Sequence, residues 1–288
     1  MNTKPPLVVI AGPTASGKSA AALALAEREG GVVINADASQ VYADLRVLTA
    51  RPSAQEEARA PHRLFGHVDA ADSGYSAARW AAEARAAIAE AHAANRLPIL
   101  VGGTGLYLRT LLDGIAPVPA IDPATRAAVR ALPVADAYAA LSREDPPAAA
   151  RLHPSDTTRV ARALEVVRST GLPLADWQRT REGGIRGDID LSVTILLPPR
   201  DELHARIDAR AAVMLDPALV EVAALIARVD VSAGAPVRRA IGVAPLAEHV
   251  SGGLTRDEAL ARLRLDTRRY AKRQYTWFRN QSLKSKAE

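Results

Sequence analysis

The stretch GPTASGKS, Gly12 to Ser19, brings a lysine and a hydroxyl to the end of a glycine-bounded loop, a set of groups suited to phosphates. A G-x-x-x-x-G-K-[ST] loop wraps an anion in backbone N–H groups while the lysine meets the outer phosphate and the hydroxyl serves Mg²⁺. The candidate phosphate ligands are therefore Gly12, Pro13, Thr14, Ala15, Ser16, Gly17, Lys18 and Ser19, with Ser19 on the metal side. The loop alone leaves open whether the phosphates belong to ATP or to another ester. Two further stretches carry chemistry. NADASQVY presents Asp37, which could be a metal ligand, a general base or only a cap. GGTG, Gly102 to Gly105, lets backbone approach a ligand closely and presents the Thr104 hydroxyl, unless it is simply a tight turn before a helix.

Each of these stretches follows a short apolar run: LVVIA before Gly12, VVINA before Asp37, and PILV before Gly102. Apolar strands alternating with helical patterns imply βαβ units and a parallel sheet, whose ligands sit beyond the carboxyl ends of the strands. The spacing predicts a helix from Lys18 to Glu29, stopped by Gly30-Gly31, and another from Ala77 to Asn95 behind a Ser76 cap. After LYLRTLLDGI, the Pro-rich PVPAIDP opens a run of short polar helices that lasts to GGIRGD; DLSVTILL then returns to core-like composition. The fold expected is α/β: a P-loop NTPase-like parallel sheet core flanked by helices, residues 1–116 and 190–288, with a small helical insertion domain at 117–189. The last third reads as mostly helical and ends in an amphipathic helix from about Thr255.

Composition narrows the function classes. Zero Cys excludes disulfides and thiolate chemistry, and the six His lack zinc-ligand spacing. No run of about 18 apolar residues is present, and MNTKPP leads straight into a strand without a signal-peptide pattern. A cytoplasmic monomer without a membrane span is the expectation. The net charge of +5 is unevenly placed: residues 256–288 hold ten Lys or Arg against four Asp or Glu, so this tail carries +6. A basic helix beside a near-neutral body suits a polyanion. Within HPSDTTRVARALEV, Asp156 reads as a helix N-cap, with Arg159 and Arg162 on one face. TRRYAKRQYTWFR, Thr267 to Arg279, interleaves basic and aromatic residues. Leu263, Tyr270 and Trp277 recur at heptad spacing, which marks the aromatics as core and leaves Lys272 and Arg273 as the nucleic-acid candidates.

Taken in order, GPTASGKS, ADASQVY, the TARP of Thr49 to Pro52, LPILVGGTGLYL, HPSDTTRVARALEV, the RAIG of Arg239 to Gly242 and TRRYAKRQYTWFR resemble one family, the tRNA dimethylallyltransferases or isopentenyl-tRNA transferases. The match runs from about Leu7 to Arg279. It implies transfer of a dimethylallyl group from dimethylallyl diphosphate to the N6 amine of the adenine 3′-adjacent to a tRNA anticodon. By the same resemblance the loop holds the diphosphate with help from Arg210, Asp37 is the general base and Thr104 lies beside the adenine. Contacts to tRNA are implied for Asp37, Ala38, Ser39, Gln40, Thr104, Arg126, Thr158, Arg159, Val160, Ala161, Arg162 and the segment from Arg239. The chain departs from the family pattern at ADAS for ADS, at APHR for Pro-His-His, at IGV where a Tyr is usual, and at MLDPAL, which lacks the usual glycine.

The implied chemistry suits these residues. Ionisation of an allylic diphosphate is eased by neutralising the departing anion, which loop N–H groups, Lys18, Arg210 and Mg²⁺ would do. The adenine amine is a weak nucleophile, so a carboxylate taking its proton lowers the barrier. Two rival readings share the motifs: a small-molecule kinase that uses the loop for ATP, and a non-catalytic RNA-binding protein with a relic nucleotide site.

Overall fold

The computed structural model describes residues 4–280 and 283; Lys284 and Lys286 of the basic tail lie outside the described residues. In chain order the elements are β1 (Pro6–Ala11), α1 (Lys18–Glu29), β2 (Val32–Asn35), α2 (Ala54–Arg59), β3 (His62–Arg63), α3 (Ala77–Ala93), β4 (Pro98–Gly102) and α4 (Gly105–Asp113). There follow the short helices α5 (Pro123–Ala131), α6 (Val134–Glu144), α7 (Pro146–Arg151), α8 (Thr157–Thr170) and α9 (Leu174–Trp177). The chain closes with β5 (Asp190–Ile195), α10 (Arg200–Ala227), α11 (Val243–Val250) and α12 (Arg256–Asn280).

The strands form one five-stranded sheet of order β3-β2-β4-β1-β5, parallel throughout. Strands β2 and β4 are buried along their whole length. That explains why they read as unbroken apolar runs: helices cover both faces of a parallel sheet. Alternate side chains serve opposite faces. Ile10, Val33 and Ile99 pack with Ala22 and Ala26 of α1, whereas Val9, Ile34 and Leu100 join the core that holds Trp80 and Ala84 of α3. The register pairs Ala11 with Gly102 and Asn35 with Val101, so the carboxyl ends of β1, β4 and β2 lie side by side.

The chain divides into two compact units, one built from residues up to Leu112 and from Ile185 onward, the other from Asp113 to Gly184. The larger unit's core is shared by both of its stretches, since Leu215, Val222, Leu246 and Leu263 pack in one cluster with Leu45, Tyr107 and Leu111. The boundaries fall a few residues before 117 and 190. Ile115 and Glu182 exchange backbone hydrogen bonds of 3.0 Å in each direction, which closes the smaller unit ahead of the Pro-rich run. Ile185 N–H, by contrast, donates to Leu111 of the larger unit.

The smaller unit has its own core of Val129, Leu141, Val160 and Leu164. Its main helix, α8, starts where expected, with the Asp156 carboxylate accepting from Arg159 N–H at 3.1 Å. Helix α12 begins with a reciprocal cap in which Thr255 and Glu258 bond each other's backbone N–H. Its buried stripe is Leu263, Thr267, Ala271, Gln274 and Phe278. The stripe steps by three and four residues, with Thr267 and Gln274, and Ala271 and Phe278, each a heptad apart, whereas the row Leu263, Tyr270, Trp277 drifts away from the stripe's centre by about 20° per heptad. Tyr270 and Trp277 flank the stripe and are half-buried; Trp277 packs against the core as expected, whereas Tyr270 lines the cleft.

Candidate active site at the carboxyl edge of the sheet

The loop between β1 and α1 is shaped by backbone. Ala15 and Gly17 adopt left-handed conformations, φ 64° and 89°, and a Cβ at Gly12 would collide with the Leu196 carbonyl and the Ser16 hydroxyl. Gly17 caps α1 without any side-chain hydrogen bond, and the first turn holds no acidic residue. The helix N-terminus is thus left open to an anion, which its N–H groups and dipole favour. Lys18 folds back so that Nζ donates to the Pro13 carbonyl at 3.1 Å. Burial pulls the Lys18 ammonium down to about 8, against an opposing pull from Asp37 and with a smaller downward push from Arg210.

Arg210 of α10 donates through Nη2 to the Thr14 hydroxyl at 2.7 Å. Burial also lowers the Arg210 guanidinium, with Asp37 opposing. The Arg210 Nε and the Ser16 hydroxyl are buried with no hydrogen-bond partner among the described residues. Orphan polar groups beside an uncapped helix end are what an anion would satisfy. Ser19 is exposed in the first turn of α1.

Asp37 follows β2 and is held from behind. Asn35, fully buried, accepts the Asp37 N–H at 2.8 Å and donates to the Asp37 carbonyl and the Leu64 carbonyl, each at 3.0 Å. The carboxylate accepts Ser39 N–H on Oδ1 at 2.9 Å, while no hydrogen bond reaches Oδ2 among the described residues. The Ser39 of ADAS thus turns toward Asp37 through its backbone. From the β4 side, the Thr104 hydroxyl accepts Ala38 N–H at 2.9 Å and Thr104 N–H donates to Ala36. Tyr270 lines the cleft with Asp37, and burial together with the nearby Asp37 raises its phenol pKa and keeps it protonated. Gly102 and Gly105 are required by close approach, since a Cβ would strike Ala36 or the Trp277 ring.

Loop and carboxylate open on one cleft of about 400 Å³, and the glycine turn supports it from behind through the Thr104 bonds to Ala36 and Ala38. Lys18, Ser19, Asp37, Arg210 and Tyr270 line it together with the apolar Leu48, Met214, Ile241 and Leu263. Its lining combines the cations Lys18, Arg206 and Arg210 with apolar side chains, so it suits an amphiphilic anion beside the Asp37 carboxylate.

A family model described as IPP transferase matches residues 40–281. The chain belongs to the IPP transferase family. It is 63% identical over 277 residues to the tRNA dimethylallyltransferase of Sphingopyxis alaskensis, covering 96% of this chain and 90% of that one. It is 56% identical over 284 residues to the enzyme of the same name from Erythrobacter litoralis, covering 96% and 89%. Among solved structures, it resembles the full-length tRNA isopentenylpyrophosphate transferase of Bacillus halodurans at TM-score 0.69 and 36% identity, over 97% of this chain and 88% of that one. A eukaryotic dimethylallyltransferase acting on tRNA superposes at TM-score 0.80 with 29% identity, over 95% and 69%.

Within the smaller unit, Arg126, Arg130 and Arg162 gather around a single carboxylate, Glu165, which is only 2% exposed. Arg130 bonds it at 2.8 Å and Arg162 stands 3.9 Å away. Burial, with the neighbouring arginines, lowers the Arg162 guanidinium despite Glu165. Three cations around one anion leave surplus positive charge. Arg159 and Thr158 are exposed, Arg159 pairing only with its own cap Asp156. Val160 is different: expected at an RNA surface, it is fully buried in the unit's core, and Ala161 packs against the same cluster. The helix turns every 3.6 residues, so five consecutive residues cannot share one face. Arg239, Lys272 and Arg273 are exposed, Arg273 over the Tyr270 ring at 5.7 Å.

Several site residues escape the sequence. Gln274, Asn35 and Glu165 carry no local signal beyond being polar residues in otherwise apolar stripes, and Arg130 reads as one more exposed arginine. Glu221 of α10 belongs with them, accepting Val47 and Leu48 N–H at 2.7 and 3.0 Å. Gln40, a predicted RNA contact, spends its amide on the Thr49 and Ala50 carbonyls of TARP, both at 2.9 Å.

Proposed function

We infer that the protein transfers a dimethylallyl group from dimethylallyl diphosphate to the N6 amine of the adenine 3′-adjacent to the anticodon of tRNA, releasing diphosphate. The observation that carries this reading is the shared cleft, with an open helix N-terminus and Lys18 beside a carboxylate that keeps one oxygen free. Relatives more than half identical carry the name of that reaction.

In the reaction the donor's C1–O bond breaks and an N6–C1 bond forms, and the amine proton passes to Asp37 Oδ2. The α1 N-terminus, Lys18 and Arg210 receive the charge that builds on the departing diphosphate, where fixed donors act without reorganising. Thr14, held by Arg210, keeps the loop in the shape that presents its N–H groups. Thr104 and Tyr270 border the position of the adenine, and Thr104 fixes the backbone next to Asp37. Met214, Ile241 and Leu263 offer apolar contact to the allyl carbons, shielding the developing cation from water.

Mg²⁺ takes few protein oxygens and several from phosphate and water, and an exposed Ser19 hydroxyl beside the loop fits that mode. When bound there it would neutralise diphosphate charge. The proposed tRNA contacts are the Asp37 to Gln40 turn, Thr104, Arg126, Thr158, Arg159, Arg162, Arg239, Lys272 and Arg273. An anticodon-loop base is already unpaired, so drawing it out costs only about a few kcal/mol. The proposed compartment is the cytoplasm, where such a substrate resides, and the proposed state a monomer. No helix among the described residues is long and apolar enough to cross a membrane. The kinase reading is not favoured, because membership of this family speaks for prenyl transfer to tRNA.

The test is incubation of unmodified tRNA with labelled dimethylallyl diphosphate. Label is expected in the RNA. If label stays out while ATP protects the fold against heat better than dimethylallyl diphosphate, the kinase reading replaces this one.

A further inference from the structure

Helix α12 places one buried amide between the phosphate loop and the glycine turn. Gln274 is 6% exposed and sits in a stripe with Leu263, Thr267, Ala271 and Phe278. Its Oε1 accepts Thr14 N–H at 2.9 Å, and its Nε2 donates to the Gly103 carbonyl at 2.9 Å. A Cβ at Gly103 would collide with the Gln274 amide, so the glycine turn is trimmed to admit it.

Both partners lie next to residues with proposed chemical roles. Thr14 holds Arg210 through its hydroxyl; Gly103 precedes Thr104, whose hydroxyl holds Ala38 beside Asp37. One amide therefore spans from the phosphate loop to the turn beside the base. The requirement is directional, since the loop offers an N–H and the turn offers a carbonyl. Only a side chain that accepts at one end and donates at the other satisfies both, and leaving either group buried and unpaired is costly.

We propose that Gln274 is a positioning residue that fixes the spacing between the phosphate loop and the Asp37–Thr104 side of the cleft. The donor's C1 and the adenine amine are then held at reacting distance. The proposal rests on the functional reading above. Displacement of reacting groups by about 1 Å can cost about 10²-fold in rate, so the effect belongs in turnover more than in the binding of either substrate alone.

Two variants separate this from a packing role. Gln274→Met fills the same volume and removes both bonds; the unpaired Thr14 N–H and Gly103 carbonyl should lower the melting temperature, while kcat per folded active site should fall about 10- to 100-fold with pyrophosphate affinity changed less than about 3-fold. Gln274→Glu keeps the acceptor for Thr14 but sets a carboxylate against the Gly103 carbonyl. Once protonated, that carboxyl regains a donor, and burial raises its pKa toward neutrality. The ratio of variant to wild-type kcat should therefore climb as pH falls from 8 to 6.

A third readout needs no turnover: pyrophosphate should slow amide exchange at residues 102–106 in wild type and not in Gln274→Met. Wild-type kcat in a folded Gln274→Met, or a pH-independent ratio for Gln274→Glu, overturns the proposal. If Gln274→Met does not fold, the Gln274→Glu ratio decides. A wild type that leaves tRNA unmodified yet shows the exchange coupling instead sinks the functional reading and leaves the spacing role standing.

Discussion

The edge of the sheet and the arginine face of α8 are built in opposite ways. At the sheet edge, polar side chains are buried or half-buried and their partners come from far along the chain: Arg210 and Gln274 on Thr14, Thr104 on Ala38. On α8, Arg159 is exposed and its partner Asp156 lies one turn away, and Arg162 has Glu165 at the same distance. Long-range, desolvated bonds fix atoms to within fractions of an ångström, which bond making requires. Exposed arginines on a local scaffold supply charge and reach, which suit a polyanion whose backbone is the same at every step. The first arrangement predicts effects on rate, the second on affinity.

That contrast can be broken most sharply at Asp37. Asp37→Asn keeps the size and the bond to Ser39 but removes basicity, so kcat should fall by about 10² to 10⁴ with tRNA affinity little changed. Rapid-quench turnover at saturating substrates measures it, and near-normal turnover would remove Asp37 from the mechanism. A loss of donor affinity restored at high Mg²⁺ would make the residue a metal ligand instead.

Lys18 gives the next effect. With its pKa down to about 8 in the free protein, the ammonium that meets phosphate is lost as pH rises through that value. Dimethylallyl diphosphate affinity in wild type should therefore drop by about tenfold per unit above pH 8, up to the limit set by the bound-state pKa. Lys18→Arg, charged throughout, should show a flatter profile by calorimetry. For stability the sign is opposite. Between about 8 and the ordinary 10.5 the unfolded chain holds a proton that the folded one has released, so stability rises with pH across that window.

On the insertion, Arg159→Ala with Arg162→Ala should raise the KM for tRNA by about tenfold, equivalent to about 1.4 kcal/mol, and leave kcat within about twofold. A kcat collapse would mean that α8 takes part in placing the reacting base. Neutralising Lys272 and Arg273 together should lower the slope of log affinity against log salt by about 2, one for each phosphate that is no longer neutralised. A folded variant with an unchanged slope would take α12 off the RNA surface. Smallest in function is Val160→Ala. Being core, it should lose about 2 kcal/mol of stability in a thermal melt while tRNA affinity of the folded protein stays put.

What sequence reveals follows the same division. Strand ends at Ala11, Asn35 and Gly102, the α1 loop and the Asp156 cap all announce themselves within a few residues, because glycines, caps and apolar runs are local signals. Arg210 enters by resemblance alone. Gln274, Asn35 and Glu221 are invisible because each is defined by a bond to a distant stretch, and a polar residue in an apolar stripe does not say which N–H it meets. A heptad row begun at Leu263 drifts to the edge of the α12 stripe by Tyr270, and Val160, implied as an RNA contact by resemblance, is turned into the core by the helical period.

The claim at the centre is that one cleft holds the departing diphosphate and the attacking amine at once. A crystal structure with diphosphate, Mg²⁺ and an unmodified anticodon stem-loop tests it most directly. The account predicts diphosphate on the α1 N-terminus with Lys18 and Arg210, and the adenine N6 amine at about 2.6–3.2 Å from Asp37 Oδ2. An adenine seated away from Asp37, or a diphosphate bound elsewhere than the Gly12 to Ser19 loop, would contradict it.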